Sequence, residues 1–206
     1  METMNLLYID DGIDPALSGY LSSLSRHLSS TFGSKVNYSE LPFKPDEGYE
    51  SLLADKKVRA ANVILIDSRL FENRTATNGK FSGEEFKVVL KKFYPFIEVI
   101  VITQNDSDTT LHIVGKYRPA FGPDSTEYYD KYLSPEIERA LENVAQYRLL
   151  AGKMKENKNW EQVLKEKVLG ALDGADAYDE LKKTDIDALI SAFQQIQKKI
   201  QEKLDG

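Results

Sequence analysis

The sequence predicts an α/β protein: a five-stranded parallel sheet, doubly wound with helices on both faces, and an all-helical extension after it. Two observations predict this class. Short aliphatic runs alternate with longer amphipathic stretches over the first two thirds of the chain, which is the order of parallel strands and crossover helices. From residue 134 onwards every segment is compatible with helix. We therefore divide the chain into an α/β domain, residues 1–122, and a helical extension, residues 123–206.

The first predicted strand is a short aliphatic run, residues 5–9, that stops at an acidic pair, Asp10 and Asp11. Its length and its apolar content favour a strand buried on both faces. Residues 14–31 then predict a helix that Gly33 closes, because four leucines recur at helical spacing: Leu17, Leu21, Leu24 and Leu28.

The middle of the chain contains the clearest strand. Residues 35–41 are a weaker strand candidate, and residues 48–60 are interpreted as one short helix that carries two leucines, Leu52 and Leu53. The aliphatic run 62–66 follows and again ends at an acid, Asp67. Polar residues predict a loop over 68–81.

A third helix and two further strands complete the predicted sheet. The pair Ser82 and Glu85 has the spacing of a capping box, and the helix behind it has an apolar stripe formed by Phe86, Val89, Leu90 and Phe93. Residues 97–102 predict the fourth strand, and residues 111–115 predict a shorter fifth strand.

Three amphipathic helices are predicted in the extension. The first begins at Ser134, expected to be its N-cap, and has an apolar stripe formed by Ile137, Leu141, Val144, Tyr147 and Leu150. The stripe of the second is Trp160, Val163, Leu164, Val168 and Leu172. The third, capped by Thr184, carries Ile186, Leu189, Ile190, Phe193, Ile196 and Ile200. The sequence leaves open whether these helices pack on the sheet, form a homodimer or bind another protein.

The composition excludes several classes of site and partner. The chain has 206 residues, 41% of them hydrophobic, and a formal net charge of −6. It contains no cysteine, which excludes disulfides, thiolate metal sites and cysteine nucleophiles. The acidic balance argues against a nucleic-acid partner, since phosphate contacts need clustered Lys and Arg. No apolar run approaches the ~20 residues that span a bilayer, and no signal peptide is evident, so we expect a cytoplasmic protein without a membrane partner.

Four of the five predicted strands end in polar residues that suit one kind of chemistry: Asp10 with Asp11, Asp67, Thr103 and Lys116. Because ligands of open parallel sheets bind outside the carboxyl ends of the strands, we expect these residues at one edge. Clustered carboxylates repel one another unless a cation neutralises them, and Mg²⁺ prefers such oxygen ligands. A hydroxyl and an ammonium nearby would complete a site for a phosphoryl group, with one carboxylate as the attacking group.

These strand ends resemble the receiver domains of bacterial two-component response regulators. The first acids follow Leu-Tyr-Ile, Asp67 follows Ile-Leu-Ile, and Thr103 follows Ile-Val-Ile. The resemblance implies that Asp10, Asp11 and Asp67 hold Mg²⁺ and that Asp67 accepts phosphate from a histidine kinase or a small phosphodonor. It further implies that Thr103 and Lys116 bind the phosphoryl group. The expected protein is therefore not an enzyme but a signalling module that acts through protein–protein interaction, with a partner bound by the carboxyl-terminal helices.

The resemblance covers residues 5 to about 119, with departures on the face that normally signals output. The stretch between Thr103 and Lys116 is too short for a full crossover helix, and Tyr117 stands where a proline is usual. Lys131 is the alternative site lysine. One alternative function is therefore a pseudo-receiver, an interaction module that is not phosphorylated. A less favoured one is an aspartyl-nucleophile phosphatase, a class that requires Asp-x-Asp where this chain has adjacent acids.

Overall fold

The computed structural model describes residues 3–44, 48–71, 82–104, 113–121, 124–158, 162–172 and 190. It confirms the α/β class: five parallel strands form one sheet in the order β2-β1-β3-β4-β5, which is the flavodoxin-like order. The strands are β1 (Thr3–Asp10), β2 (Lys35–Pro42), β3 (Val63–Asp67), β4 (Glu98–Thr103) and β5 (Ile113–Gly115).

Helices cover both faces of this sheet, as the sequence predicts. Those described are α1 (Pro15–Thr31), α2 (Tyr49–Ala54), α3 (Lys56–Ala60), α4 (Gly83–Phe93), α5 (Ser125–Tyr132), α6 (Ser134–Glu156) and α7 (Gln162–Leu172). The apolar residues of α1, α5 and α6 share one core with Leu6 and Leu65, whereas those of α2, α3 and α4 share the other core with Leu7 and Ile64. Successive residues of a strand point to opposite faces, so each central strand contributes to both cores.

Helix α1 agrees with its predicted bounds. The carboxylate of Asp14 accepts hydrogen bonds from the backbone N–H groups of Ala16 and Leu17, which caps the first turn. Gly33 ends the helix with a φ of 59°, a conformation that glycine adopts without the strain of a side chain. The four predicted leucines are all buried.

The single helix predicted over residues 48–60 is wrong, because the chain forms two short helices there. Asp55 has an extended backbone between them, with φ −67° and ψ 134°. Its carboxylate accepts a hydrogen bond of 2.6 Å from the backbone N–H of Lys57 and so caps α3. Aspartate competes for backbone N–H groups in this way, which favours a helix start over a helix interior.

The start of α4 confirms the predicted capping box. The Ser82 hydroxyl accepts from the Glu85 N–H, and the Glu85 carboxylate accepts from the Ser82 N–H. Three of the four predicted stripe residues are buried, and Phe93 is half-buried against the same core. Of the predicted loop 68–81, residues 72–81 lie outside the described part of the chain.

Two details predicted for α6 are wrong. Ser134 is not the N-cap: Leu133, with φ −103° and ψ −41°, joins α5 to α6 without leaving the helical region, and the Ser134 hydroxyl donates to Glu138 instead. Leu150 is 55% exposed, whereas Ile137 and Leu141 are fully buried. At 1.5 Å per residue, this 23-residue helix is longer than any strand of the sheet, so its last turns extend beyond the core.

The helices that follow the sheet share its core at their beginning. Tyr129 of α5 and Val144 of α6 belong to the same buried cluster as β1 residues, so the division at 122–123 stays a prediction. On α7, Leu164 is 46% exposed, against the predicted stripe. Trp160 and the third predicted helix lie outside the described residues, except for Ile190, which is helical and buried. Within the described ranges, none of the helices has both the length and the apolar character that crossing a bilayer requires.

Candidate functional site

Three predicted acids meet at the carboxyl edge of the sheet. Asp10 ends β1 and Asp67 ends β3. These strands are neighbours and Ile9 is paired with Ile66, so the two acids lie side by side at the ends of the two strands. One carboxylate oxygen from each of Asp10, Asp11 and Asp67 lies within 4.8 Å of the others. Asp10 and Asp67 are buried, whereas Asp11 is exposed. The cluster is therefore open to solvent on the side of Asp11.

Lys116 bridges the two buried acids. Its ammonium nitrogen lies 2.8 Å from Oδ2 of Asp10 and 2.6 Å from Oδ1 of Asp67, and the side chain is itself buried. Burial alone would lower the pKa of this lysine, but hydrogen bonds and charge interactions with the two carboxylates outweigh it and raise the pKa. The group is thus an ammonium at neutral pH, with two of its three N–H donors directed at the acids.

Thr103 lies at the same edge and positions the lysine through the backbone. It is buried at the end of β4, and its carbonyl oxygen accepts a 2.6 Å hydrogen bond from the Lys116 N–H. The alternative lysine, Lys131, lies on α5 with its ammonium 4.9 Å from the centre of the Tyr132 ring. The geometry therefore favours Lys116 over Lys131 as the site lysine.

Both carboxylate oxygens of Asp10 are bound. The Tyr8 hydroxyl and Lys116 donate to Oδ2, and the backbone N–H of Gly12 donates to Oδ1 at 3.0 Å. Tyr8 is fully buried. These three donors fix the orientation of the carboxylate and compensate for its burial.

Asp67 is held in a similar way by the segment that follows β3. The backbone N–H of Arg69 donates to Oδ2 of Asp67 at 2.8 Å, while Oδ1 faces Lys116. The Ser68 N–H donates to the carbonyl of Ile102, and the Ser68 carbonyl accepts from Gly83 at the start of α4. The acid therefore ends β3, and the turn that follows it is fixed to both β4 and α4.

The residues of this cluster fit a divalent cation. Three carboxylates and one ammonium leave two negative charges, which is the charge that Mg²⁺ neutralises. The pKa of Asp11 is raised by partial burial of its carboxyl, by a hydrogen bond with Asp10 and by the charges of Asp10 and Asp67. A cation at this position would remove that electrostatic cost, and the open side at Asp11 leaves room for the waters that Mg²⁺ retains.

The site contains two contributors that the sequence analysis does not single out, Tyr8 and Gly83. Tyr8 could be found from the pattern, because residues two apart on a strand share a face and its hydroxyl therefore lies beside Asp10. The role of Gly83 depends on how closely α4 approaches β3, which a single sequence does not encode.

Comparisons with known proteins name no family. A comparison with models of protein families and a comparison with curated proteins each find no match.

Replacing Gly83 with alanine should lower the free energy of unfolding by about 1–3 kcal/mol, the usual cost of an inserted methyl group without space. The added Cβ would lie 2.5 Å from the carbonyl oxygen of Asp67 and 3.0 Å from Cα of Ser68. Urea unfolding measures the difference in free energy of unfolding between this variant and wild type.

Gly19→Ala is the matched control, since Gly19 is exposed on α1 and its Cβ position has no neighbour within 4 Å. We expect the free energy of unfolding of this control to rise by about 0.5–1 kcal/mol, because alanine is favoured over glycine in a helix. Equal stability of the two variants would contradict the close approach of α4.

Replacing Tyr8 with phenylalanine should change how stability depends on alkaline pH. Burial, the charge of Asp10 and the hydrogen bond to Asp10 raise the pKa of Tyr8 above its ordinary value of 10.0. Above about pH 10 the unfolded chain loses this proton while the folded chain keeps it, so the free energy of unfolding falls as pH rises.

The Tyr8→Phe variant has no phenol proton at this position and therefore lacks this pH-dependent part of the stability. We expect it to be less stable than wild type by about 1 kcal/mol at neutral pH, because the buried carboxylate loses one donor. Its free energy of unfolding should then decrease less steeply between about pH 9 and 11 in denaturant titrations. Parallel curves for the two proteins over this range would contradict the assignment of the Tyr8 proton.

Proposed function

We propose that this protein is a receiver-like signalling protein that accepts a phosphoryl group on Asp67 with the help of Mg²⁺. The observation that carries the proposal is the Lys116 ammonium between the carboxylates of Asp10 and Asp67, at 2.8 and 2.6 Å, next to a third acid. Four strand ends that are far apart in sequence meet there, which a set of unrelated helix caps and loop acids would not require. The phosphodonor is the phosphohistidine of a kinase or a small acyl phosphate.

The chemistry assigned to the chain is one transfer. A carboxylate oxygen of Asp67 attacks the phosphorus, a new O–P bond forms, and the bond from phosphorus to the donor breaks, so that the donor leaves with its electron pair. Lys116 neutralises negative charge on the phosphoryl oxygens, and the Thr103 hydroxyl would donate a hydrogen bond to one of them. Mg²⁺, when bound by the three acids, supplies further positive charge at the same oxygens.

Phosphorylation would redistribute the contacts of Lys116. The product carries more negative charge at Asp67 than the carboxylate does, and it places acceptor oxygens farther out from the sheet edge. The ammonium would then exchange its bond to Asp10 for bonds to the phosphoryl group. This exchange is the local event by which the protein signals to a partner.

Incubation with acetyl phosphate and Mg²⁺ tests the proposal. We expect the intact mass to increase by one phosphoryl group, and we expect no increase when a chelator removes the cation. Beryllofluoride with Mg²⁺ should shift the amide signals of Gly12 and Arg69, whose N–H groups donate to the site acids. A wild-type protein that shows neither the mass increase nor the amide shifts would refute the proposal and favour the pseudo-receiver.

One observation favours that second candidate. Asp67 is only 5% exposed, and both of its oxygens already have partners, Lys116 and the Arg69 N–H. A permanent pair of this kind would keep the Asp67 carboxylate from reacting and leave a constitutive interaction module. The acetyl phosphate experiment separates the two, because a carboxylate of Asp67 that stays permanently held would not become phosphorylated.

The partner of the proposed signalling protein would be another protein bound by the carboxyl-terminal helices, or a second copy of this chain. Leu149 and Leu150 of α6 and Leu164 of α7 are between 46% and 62% exposed, which supports an interaction through these helices. Light scattering with and without beryllofluoride and Mg²⁺ distinguishes a homodimer that depends on the activated state from a monomer that awaits a different partner.

A further inference from the structure

Two adjacent tyrosines of α5 bind the main chain on either side of the site lysine. The Tyr128 hydroxyl donates to the carbonyl of Gly115 at 3.1 Å, and the Tyr129 hydroxyl accepts from the N–H of Tyr117, also at 3.1 Å. Lys116 is the residue between these two contacts. Its own N–H donates to Thr103 of β4. Three consecutive backbone groups are therefore fixed around the lysine.

The tyrosines bind where the sheet has no further strand. β5 is the last strand in the order and pairs only with β4 within the described residues. In a parallel sheet, alternate residues bond to opposite sides, so the groups next to the Lys116 N–H face away from β4. An edge strand leaves such groups unpaired unless something covers them. Helix α5 covers this edge with two side-chain hydroxyls in place of a strand.

Helix α5 is in turn attached to the rest of the fold. Tyr129 is fully buried, and its ring centre lies 5.2 Å from that of Tyr20 on α1. The Tyr20 hydroxyl donates to Asp130 at 2.8 Å. Leu133, buried, connects α5 directly to α6. A displacement of the backbone at Lys116 would thus act on α5 and, through the junction, on α6.

We propose that Tyr128 and Tyr129 are positioning residues for Lys116, and that through them α5 responds to the carboxylates or phosphoryl oxygens that the lysine contacts. The reach of the lysine explains why its backbone must be fixed: one ammonium meets two buried oxygens, 2.8 and 2.6 Å away, on two different strands. A small shift of β5 would break one contact or both. The second half of the proposal rests on the proposed function, whereas the positioning role does not.

The positioning role is tested by nuclear magnetic resonance on Tyr128→Phe and Tyr129→Phe. Both substitutions keep the ring and remove only the hydroxyl. An ammonium held by two buried carboxylates exchanges its protons slowly, so we expect a distinct Lys116 side-chain ¹⁵N–¹H signal in wild type. In each variant we expect this signal to broaden or disappear, while melting temperature and circular dichroism report whether the fold is kept.

Tyr132→Phe is the matched control, since Tyr132 is on the same helix, contacts the Tyr128 ring at 4.9 Å and is 42% exposed. It should leave the Lys116 signal unchanged. An unchanged Lys116 signal in both test variants would overturn the positioning role. If Tyr129→Phe does not fold because a buried hydroxyl and its hydrogen bond are lost, Tyr128→Phe alone decides, since Tyr128 is only half-buried.

A second measurement tests the response of α5. On addition of beryllofluoride and Mg²⁺, we expect the amide signals of Ser125–Tyr132 to shift in wild type and in Tyr132→Phe. Both test variants should show a smaller shift and bind beryllofluoride about fivefold to tenfold more weakly. Unshifted α5 signals in a wild-type protein that does bind beryllofluoride would overturn the response of α5. A wild-type protein that binds none would overturn the proposed function and with it the α5 response, whereas the ammonium signal still decides the positioning role.

Discussion

Replacing Lys116 with methionine should lower the free energy of unfolding by about 3–5 kcal/mol in buffer without Mg²⁺, the usual cost of removing one partner from a buried ion pair. Asp10 and Asp67 would remain buried and close together without their shared cation, which leaves two uncompensated carboxylates. Methionine is unbranched and has a volume similar to that of lysine, so the loss reports mainly charge and hydrogen bonds rather than packing. Urea unfolding at neutral pH measures it.

Mg²⁺ should restore part of this lost stability. In the variant, the three acids lack the ammonium and attract a dication more strongly, so the unfolding midpoint should rise more with added Mg²⁺ than in wild type. The matched control is Lys131→Met, because Lys131 is an exposed lysine of α5 whose charge lies over the Tyr132 ring. It should change stability by less than about 1 kcal/mol. A Lys116→Met protein as stable as this control would show that the buried pair is not formed in solution.

Replacing Asp67 with asparagine should abolish phosphoryl transfer from acetyl phosphate. The amide has nearly the shape of the carboxylate but is not a nucleophile, and it can no longer form an ion pair with Lys116. Intact mass spectrometry at matched donor and Mg²⁺ concentrations measures the result. The expected effect is a complete loss of the modified species.

Asp11→Asn provides the contrast for this experiment. Asp11 is the exposed member of the cluster and is assigned a role in cation binding only. We therefore expect its variant to accept the phosphoryl group more slowly at low Mg²⁺ and to recover as Mg²⁺ is raised. If the Asp67→Asn variant were still phosphorylated, the phosphoryl acceptor would be another residue and the assignment of Asp67 would be refuted.

Much of the sheet can be predicted from the sequence because buried parallel strands have a strong pattern. The runs that precede Asp10, Asp67 and Thr103 are continuous and aliphatic, as strands covered on both faces must be. Since parallel strands end at one edge, the position of the polar residue after each run predicts which side chains are neighbours. The Asp10 and Lys116 contact, which spans 106 positions of the chain, follows from this reasoning.

The details that could not be predicted depend on local competition or on tertiary distance. At Asp55 the side chain caps a new helix, and hydrophobic periodicity alone does not reveal such a break. At Ser134 the residue type favours an N-cap, but the preceding helix continues through Leu133 and removes the extended conformation that a cap needs. The pairing of Tyr128 and Tyr129 with the edge of β5 depends on where α5 lies, which no spacing rule specifies.

The central claim is that Asp10, Asp11 and Asp67 form one Mg²⁺ site, and a titration followed by amide nuclear magnetic resonance tests it most directly. The N–H groups of Gly12 and Arg69 donate to the carboxylates of Asp10 and Asp67 and so report on both strands. We expect both signals to shift along one saturable curve with one equivalent of Mg²⁺, and to shift far less in Asp11→Asn at the same concentration. Signals that stay in place up to millimolar Mg²⁺, or that move with two unrelated affinities, would contradict a shared site.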